Sequence, residues 1–348
     1  MTGPTTVDDA MQTAIAASEA ARGRTSPNPP VGAVILDADG IVVGVGSTRP
    51  PGGAHAEVVA LQRAGQRARG GTAVVTLEPC NHTGRTGPCS QALIDAGIAR
   101  VVYAVTDPNP LAEGGARILA DAGVIVEVGR GAADVERGPL RAWLHKQRTG
   151  RPHITYKYAA SLDGRSAAED GTSQWITGPA AREHVHAQRA KLDAIVVGTG
   201  TVLADDPLLT ARLPDGTDAP HQPVRVVVGQ RSVPSTARVR NDAAPTRFVK
   251  THDPHVVVDA LAEHTDVLVE GGPTLAGAFL AAGLVDRIVA YIAPIVLGSG
   301  TAAVENAGVG TIADARRFSI DSVESIGDDI VVSAIPVGDA GRSDRTGA

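Results

Sequence analysis

The sequence predicts an α/β protein built from two unlike domains. Its 348 residues exceed the roughly 100 to 200 residues of a typical single domain. Short apolar segments with strand character alternate with segments of helical spacing along most of the chain, which is typical of α/β folds. The two halves do not repeat one another, which indicates a fusion of different domains. Aromatic residues make up only 3% of the chain, so Ala, Val, Leu and Ile must form most of the core.

The first half predicts an α/β sandwich around a largely parallel sheet. Its first two strands, VGAVIL and IVVGVGST, are separated by a turn at Asp39 and Gly40. A predicted helix from His55 ends at Gly65, and a second ends at Gly97. After the first two strands, the elements in chain order are the helix AEVVALQRAG, the strand TAVVTLE, the helix SQALIDAGI, the strand ARVVYAVTD, the helix ARILADAG and the strand VIVEVG.

The segment from Asp134 to Pro152, with the helical sequence PLRAWLHKQ, leads out of this first domain. We place the boundary near Gly150, which predicts a first domain at residues 1–150, a second at 151–337 and a disordered polar tail at 338–348. The predicted strands of the second domain are HITYKYAASLDG, DAIVVGTGT, VRVVVG, DVLVEGG and RIVAYIAPIVLG, with the helices PAAREHVHAQRA and TLAGAFLAAG between them.

Charge and hydropathy argue against two classes of partner, although a local basic groove stays open. The formal net charge of -6 gives no overall electrostatic attraction to nucleic acid. No segment approaches the roughly 18 consecutive apolar residues of a membrane span. The first residues carry acidic side chains where a secretory signal would be basic. We therefore expect a cytoplasmic protein that binds neither nucleic acid nor membranes.

Four residues in two short motifs predict a catalytic zinc site. His55 and Glu57 occur in AHAEVV, and Cys80 and Cys89 occur in TLEPCNHTGRTGPC. One imidazole and two thiolates provide three ligands for a tetrahedral zinc ion and leave the fourth position for water, as in catalytic sites. Zinc lowers the pKa of a bound water to about 7, and Glu57 is placed to transfer protons without binding the metal. H-x-E followed by P-C-x-x-C is the signature of zinc nucleobase deaminases, although here eight residues separate the cysteines.

Other interpretations of these residues compete with a catalytic zinc. His82 lies two residues after Cys80 and would complete a closed structural site, and two unrelated free cysteines are a further alternative. Neither accounts for Glu57. At the level of function, the alternatives are a deaminase acting on a nucleoside or transfer RNA, and a zinc-stabilised nucleotide-binding protein without activity. The acidic charge and the few aromatic residues argue against an RNA-binding surface.

Further motifs resemble those of the bifunctional deaminase and reductase of riboflavin biosynthesis. They occur in the order TSPNPPVGAVI, HAEVVAL, TLEPCNHTGRTGPC, VTDPNP, SLDGRSA, SQWITG, LADDP and LVEGG. The resemblance implies a cytidine-deaminase-like α/β/α sandwich followed by a dihydrofolate-reductase-like α/β domain. It implies that the first domain, with one zinc ion per chain, converts 2,5-diamino-6-(5-phosphoribosylamino)pyrimidin-4-one to 5-amino-6-(5-phosphoribosylamino)uracil. The second domain would reduce the ribosyl group to ribityl with NADPH, and we expect a homo-oligomer with these small-molecule substrates.

The resemblance also implies substrate contacts in the first domain, at Asn28, His82, Arg85, Asp107 and Asn109. Asn28 would face the pyrimidine, while Asp107 and Asn109 would face the ribose. His82 and Arg85 would contact the phosphate. The alternative is that both side chains lie in a solvent-exposed loop and bind nothing. Turn formation is the alternative for Asn28 and for the DPNP segment.

The chain departs from the family near the metal motif. Thr48 stands where relatives often have a histidine, and Ala54 and Gly87 stand where prolines are usual. None of these changes removes a zinc ligand. The threonine puts one contact to the substrate in doubt.

For the second domain the resemblance implies a reductase site. Lys157 would be the acid or polarising donor beside the reacting carbon, and Asp205 would lie nearest the ribose and nicotinamide. The alternative to a catalytic role for Lys157 is a position on an edge strand. The alternative to a cofactor contact for Trp175 is a place in the hydrophobic core. The implied substrate contacts are Ser173, Arg189, Leu209, Arg212 and Glu270. The implied cofactor contacts are Ala159, Trp175, Thr177, Thr201, Asp205, Gly271, Gly272, Pro273, Thr274, Leu275, Ala276, Gly277 and Ala278.

The segment LVEGGPTLAGAFL predicts a phosphate site on physical grounds. A strand runs into a glycine pair and a helix begins at Pro273 or Thr274, so free backbone N–H groups point toward a ligand. In contrast, VVGTGTVLADDP has neither a third glycine nor a following helix and is a poor dinucleotide fingerprint. No residue is assigned to the adenosine phosphate, and NADPH rather than NADH rests on the resemblance. His184 and His186 are predicted to lie on different helix faces as surface residues.

Overall fold

The structure of the protein, a computed structural model, describes residues 3–81, 87–110, 112 and 114–337. The chain forms two compact units, Met1–Arg151 and Pro152–Ala348. Both are mixed α/β units, as the sequence predicts. The tail expected at 338–348 lies outside the described residues. Within the described ranges, none of the helices combines the length and the apolar character needed to cross a membrane.

Five strands and six helices form the described part of the first unit. The strands are β1 (Gly32–Leu36), β2 (Val42–Ser47), β3 (Thr72–Leu77), β4 (Arg100–Val105) and β5 (Ile125–Val128). The helices are α1 (Val7–Ala21), α2 (Ala56–Ala64), α3 (Cys89–Asp95), α4 (Gly115–Asp121), α5 (Ala132–Arg137) and α6 (Arg141–Thr149). The sheet order is β2-β1-β3-β4-β5.

The first sheet is less parallel than the sequence predicts. β3, β4 and β5 run parallel to one another, but β1 is antiparallel to both of its neighbours. Two of the four pairings are therefore antiparallel. The tight turn between β1 and β2 reverses the chain, so β2 is antiparallel to β1. β2 and β3 therefore have the same direction and flank β1 on opposite sides.

Helices pack unusually close to this sheet because glycines face them. A Cβ atom on Gly32 would lie 1.9 Å from the Ala14 carbonyl oxygen of α1, and one on Gly46 would lie 2.2 Å from the Ala56 carbonyl oxygen of α2. The helix α1, which precedes β1, is not among the elements predicted from the sequence. Its signal was the N-cap, where the Thr6 hydroxyl accepts a hydrogen bond from the Asp9 N–H at 3.1 Å.

The second unit contains ten strands and four helices in its described part. The strands are β6 (His153–Ser161), β7 (Arg165–Ala167), β8 (Ala194–Gly198), β9 (Val224–Val228), β10 (Thr246–Val249), β11 (Asp266–Val269), β12 (Arg287–Ala293), β13 (Thr301–Ala302), β14 (Phe318–Ile326) and β15 (Asp329–Pro336). The helices are α7 (Pro179–Arg189), α8 (Thr199–Asp205), α9 (Pro254–Ala260) and α10 (Pro273–Ala281). The large sheet has the order β10-β9-β8-β11-β6-β12-β15-β14.

This sheet places the carboxyl ends of several strands at one edge. β10, β9, β8, β11, β6 and β12 are parallel, whereas the last two strands form an antiparallel hairpin that sequence analysis did not predict. β6 lies between β11 and β12, so the edge-strand interpretation of Lys157 is wrong. The expectation that no helix follows VVGTGT is also wrong, because α8 begins at Thr199. Parallel strands bring their following loops together, and ligands bind there.

Candidate active sites

The predicted zinc ligands come together where two helices of the first unit begin. His55 is the N-cap of α2, Cys89 is the first residue of α3, and Cys80 lies in the loop that follows β3. The two cysteines are buried. Both helix N-termini carry partial positive charge, which favours thiolates at this place.

The spacing of the three side chains fits a tetrahedral metal ion. His55 Nδ1 lies 3.5 Å from Cys80 Sγ and 3.3 Å from Cys89 Sγ. The three potential ligand atoms lie within 4.8 Å of one another. Bonds of about 2.0 Å to nitrogen and about 2.3 Å to sulfur at a tetrahedral angle separate the two atoms by about 3.5 Å. The donor set and its spacing therefore suit zinc.

The electrostatics of the cluster favour cation binding. A hydrogen bond from Cys89 lowers the pKa of Cys80 to about 4, and the same interaction raises the pKa of Cys89. Of the two thiols, that of Cys80 is therefore the more readily ionised. Its hydrogen bond also raises the pKa of His55. Burial raises the pKa of Glu57 to about 7, with the charge of Cys80 as the next cause. A carboxyl group with such a pKa exchanges protons readily near neutral pH.

Glu78 is a buried carboxylate of this site to which sequence analysis gave no role. It lies two residues before Cys80, and its two oxygens accept hydrogen bonds from the backbone N–H groups of Asp107 at 3.3 Å and Ala116 at 3.1 Å. These bonds join the loop after β3 to the loop after β4 and to the start of α4. The sequence feature that could have indicated this role is an acidic residue directly after the apolar strand TAVVTL.

Gly115 allows the start of α4 to lie close to the loop that contains Cys80. A Cβ atom at this position would lie 1.7 Å from the carbonyl oxygen of Pro79, directly before Cys80. The helix and the loop therefore touch through their backbones, and a residue other than glycine would push them apart.

The predicted substrate contacts of the first unit have different surroundings. Asp107 is buried and its carboxylate accepts a hydrogen bond from the Asn109 N–H at 2.8 Å, which is a turn of the Asx type. Asn28 is half-buried after a cis Ser26–Pro27 bond. His82 and Arg85, and with them the alternative of a fourth zinc ligand, lie outside the described residues.

Thr48 has a local structural role. Its side chain is buried, and its hydroxyl oxygen accepts a hydrogen bond from the Val31 N–H at 3.0 Å. The threonine therefore secures the end of β2 to the residue before β1. This gives a physical reason for a small hydroxyl residue at this position.

A cavity of about 1160 Å³ opens at the carboxyl ends of the parallel strands in the second unit. This volume slightly exceeds the range of about 300 to 1,000 Å³ for typical small-molecule sites. Its walls include nearly every residue predicted for the reductase site: Lys157, Ala159, Ser173, Trp175, Thr177, Arg189, Thr201, Asp205, Leu209, Arg212, Glu270, Gly271, Gly272, Pro273, Thr274, Leu275 and Ala278. Arg231, Arg238 and His252, which sequence analysis did not single out, also line it.

Two of the predicted cofactor residues lie elsewhere. Ala276 is fully buried in the hydrophobic core of the second unit. A Cβ atom on Gly277 would lie 1.6 Å from the Glu305 carbonyl oxygen, so this glycine packs against that segment. That the whole stretch from Gly272 to Ala278 contacts the cofactor stays a prediction, but these two positions do not line the cavity. The physical reason is helical periodicity, since α10 turns successive residues away from the cavity.

The turn before α10 has the form that the sequence predicts. The helix begins at Pro273, and Gly272 is its N-cap. The Gly272 N–H donates a hydrogen bond to the Thr201 hydroxyl at 3.2 Å, which connects the turn to α8. The first backbone N–H groups of α10 lie beside the cavity, where they suit an anionic ligand.

A buried ion-pair group occupies the cavity wall. Glu270 has a side chain that is only 5% exposed, and one of its oxygens lies 3.6 Å from Lys157 Nζ. Its other oxygen accepts hydrogen bonds from Arg189, at 3.0 Å from Nε and 2.5 Å from Nη2. Burial lowers the pKa of Lys157, while the carboxylate raises it. The charges of Arg189 and Lys157 outweigh burial and hold the pKa of Glu270 at about 2.

The remaining predicted residues lie nearer to solvent. Trp175 is 68% exposed, so the alternative that it belongs to the core is wrong. The Arg182 guanidinium group stacks over its ring in a cation–π contact, 4.6 Å from the ring centroid. Asp205 ends α8 in an exposed position, although partial burial raises its pKa.

The prediction that His184 and His186 are surface residues is wrong. Both are half-buried. His184 Nδ1 lies 3.0 Å from the Tyr291 hydroxyl, whereas His186 lines the cavity and contacts Arg212. One face of α7 packs against the sheet, and His184 lies on this face beside Tyr291. Another face packs against the loop that contains Thr210 and Arg212, and His186 lies there.

Comparisons with known proteins agree with the two predicted kinds of domain. The family described as cytidine and deoxycytidylate deaminase zinc-binding region matches residues 4–105. The family described as RibD C-terminal domain matches residues 152–332, which is more than half of the chain. These matches confirm the predicted order of a deaminase-like domain followed by a reductase domain.

Similar proteins cover almost the whole chain. The riboflavin biosynthesis protein RibD of Mycobacterium tuberculosis is 59% identical over 94% of this chain and 97% of its own length. That of Escherichia coli is 42% identical over 91% of this chain and 96% of its own length. A solved structure of Acinetobacter baumannii RibD has a TM-score of 0.84 at 37% identity and covers 95% of this chain and 99% of that chain. A Thermotoga maritima diaminohydroxyphosphoribosylaminopyrimidine deaminase/5-amino-6-(5-phosphoribosylamino)uracil reductase has a TM-score of 0.86 at 31% identity, with the same coverage.

Proposed function

Because the chain belongs to the RibD family of bifunctional deaminase–reductases of riboflavin biosynthesis, we propose a substrate and a set of residues for each of its two activities. The first unit hydrolyses the ring amine of 2,5-diamino-6-(5-phosphoribosylamino)pyrimidin-4-one. The second unit reduces the ribosyl group of the resulting 5-amino-6-(5-phosphoribosylamino)uracil to ribityl with NADPH. The observation that carries this proposal is the convergence of two complete sets of chemical groups, one in each unit.

In the first unit His55, Cys80 and Cys89 hold zinc. When bound, the metal supplies a water molecule of lowered pKa. Glu57 accepts a proton from the attacking water molecule while the oxygen of that water forms a bond to the ring carbon that bears the amine. The same carboxyl group then returns a proton to the amine, the carbon–nitrogen bond breaks, and ammonia leaves. The burial of Glu57 supports this role, since its pKa near 7 suits both directions of proton transfer.

Further residues of the first unit bind the substrate. Asp107 and Asn109 contact the ribose, and Asn28 contacts the pyrimidine. His82 and Arg85 contact the phosphate. In support, the Glu78 carboxylate accepts a hydrogen bond from the Asp107 N–H, and Glu78 lies in the same loop as Cys80. This contact brings the loop that contains Asp107 and Asn109 near the proposed metal site.

In the second unit Lys157 assists the reduction. NADPH, when bound, supplies the hydride. Lys157 donates a proton to the ring oxygen of the ribosyl group as the bond between this oxygen and the anomeric carbon breaks, and Glu270 keeps the ammonium group charged in a buried place. Arg189 in turn orients the Glu270 carboxylate through two hydrogen bonds.

The walls of the cavity would hold cofactor and substrate side by side. The turn at Gly271 and Gly272, the start of α10, Thr201 and Asp205 receive the cofactor, together with Ala159, Trp175 and Thr177. Ser173, Leu209 and Arg212 receive the substrate with the ion-pair group. The cationic side chains that line the same cavity suit two ligands that both carry phosphate. A homo-oligomer and a cytoplasmic location stay predictions.

Two assays on the purified, zinc-loaded protein test this function. Ammonia release from the diaminopyrimidine phosphate reports the first site, and oxidation of NADPH in the presence of the deaminated product reports the second. We expect both. Activity on cytidine or adenosine without activity on the phosphoribosylated compound would contradict the substrate assignment, and a preference for NADH would contradict the cofactor.

A further inference from the structure

His186 makes two contacts that determine the positions of its protons. Its Nδ1 lies 3.1 Å from the carbonyl oxygen of Thr210, and its Nε2 lies 2.8 Å from Nη2 of Arg212. A carbonyl oxygen only accepts hydrogen bonds, and a guanidinium group only donates them. Nδ1 therefore carries the hydrogen and donates it to Thr210, while the lone pair of Nε2 accepts from Arg212.

The imidazole must be neutral for this arrangement. A protonated ring would have an N–H on both nitrogens and no lone pair for Arg212. Burial, followed by the positive charges of Arg189 and Arg212, lowers the pKa of His186 to about 4. At neutral pH the ring is thus a fixed acceptor for the guanidinium group.

The two arginines of the cavity wall differ in their partners. Arg189 is neutralised by Glu270, with a shortest distance of 2.5 Å. Arg212 is exposed, and among the described residues no carboxylate lies within salt-bridge distance of it. Its charge is held in place by a neutral partner and remains available to an anion. Arginine binds phosphate through two parallel N–H groups, so a fixed orientation of its plane matters.

A continuous set of hydrogen bonds connects this position with the proposed reaction centre. The Thr210 carbonyl oxygen accepts from His186 and, at 3.1 Å, from Nη1 of Arg189. Arg189 binds Glu270, which faces Lys157. The position of Arg212 is therefore fixed relative to Lys157 through side chains of α7 and a single backbone carbonyl group.

We propose that His186 is a positioning residue of the reductase site, which orients Arg212 toward the phosphate ester of the ribosyl substrate. This inference rests on the proposed function, because it takes a phosphorylated sugar as the substrate of the second unit. His186 does not touch the substrate. It reduces the conformational freedom that the long Arg212 side chain would otherwise lose on binding.

Kinetics of four variants test this inference: His186→Leu, His186→Gln, Arg212→Ala and the double variant His186→Leu/Arg212→Ala. NADPH oxidation is measured with 5-amino-6-(5-phosphoribosylamino)uracil and with its dephosphorylated ribosyl analogue. For His186→Leu we expect the KM of the phosphorylated compound to rise about 10-fold to 100-fold, the range for loss of a charge-assisted contact. Turnover, the KM of NADPH and the reduction of the analogue should stay within about 3-fold.

Two comparisons separate positioning from general disruption. His186→Gln offers an acceptor near the place of Nε2 and should recover most of the affinity. The double variant should be no worse than Arg212→Ala, because His186 acts only through that arginine. Glu183→Leu, an exposed position of the same helix, is the matched control and should resemble the wild-type protein.

Calorimetric binding of the same two compounds to the same variants needs no turnover. If the wild-type protein binds the phosphorylated compound but does not oxidise NADPH, the proposed function fails, and the binding data still decide the role of His186. Multiplicative effects of the two substitutions would overturn the inference. So would an equal loss for the dephosphorylated analogue, or an unchanged KM of His186→Leu for the phosphorylated compound.

Discussion

Replacing Glu270 by Gln removes one negative charge from the centre of the buried ion-pair group and keeps the shape of the side chain. The carboxylate lies 3.6 Å from Lys157 Nζ, and both groups are shielded, with side chains 5% and 20% exposed. After the substitution, Lys157 and Arg189 become two neighbouring positive charges without a counter-charge. The free energy of the protonated Lys157 must then rise.

The size of this effect follows from the distance. Two unit charges at 3.6 Å attract each other by about 4 to 5 kcal/mol at an effective dielectric constant of about 20. At about 1.4 kcal/mol per pH unit this corresponds to about 3 units. Water that enters beside Lys157 and reorientation of the new amide will reduce the effect, so we expect a shift of about 1 to 3 units.

The direction of the shift determines the pH profile. Burial already lowers the pKa of Lys157, and Glu270 is the group that raises it. Without the carboxylate the pKa falls further, so the protonated form persists only at more acidic pH. The basic limb of the reductase profile should therefore move to lower pH, and activity should be lost as the pH rises through the lowered pKa.

The assay is NADPH oxidation with the deaminated substrate between about pH 6 and about pH 10. Glu263→Gln is the control, because this exposed carboxylate pairs with Arg247. Ammonia release by the first unit and circular dichroism verify that the variant protein is folded. A Glu270→Gln enzyme whose basic limb coincides with that of the wild-type protein would refute the role of the carboxylate and of Lys157 as proton donor.

Three further predictions concern the first unit. Cys89→Ser should lose zinc by metal analysis, and retention of one zinc ion per chain would contradict its role as a ligand. Glu57→Gln should retain zinc yet release ammonia about 100-fold to 10,000-fold more slowly, while NADPH oxidation with the deaminated substrate continues; near-normal ammonia release would exclude it as the proton carrier. Gly115→Ala should destabilise this unit by about 1 to 3 kcal/mol in calorimetry and reduce zinc binding, since its Cβ atom would lie 1.7 Å from the Pro79 carbonyl oxygen; an unchanged unfolding temperature would show that α4 moves freely.

The sequence by itself determined the elements that depend on local chemistry. The strand into Gly271 and Gly272 and the helix start at Pro273 follow from backbone preferences of neighbouring residues. The grouping of His55, Cys80 and Cys89 could be predicted because imidazole and thiol side chains at this spacing have few other uses. The membership of Lys157 in a strand was predictable from the apolar residues around it.

Only the tertiary structure decided which side chains face one another. His186 and Arg212 are 26 residues apart, and their contact depends on how α7 packs beside the loop after α8. Pattern analysis placed His186 on the surface, because a histidine on a polar helix carries no sign of its partners. Glu78 was missed for the same reason, since its two hydrogen bonds reach residues 29 and 38 positions later.

The same limit explains the errors about orientation. The direction of β1 relative to β3 and the burial of Ala276 and Gly277 depend on packing between elements. Local preferences act over a few residues, because they arise from backbone sterics and adjacent side chains. Strand direction, the buried face of a helix and the walls of a cavity are determined by contacts between distant segments, and these exist only once the chain has folded.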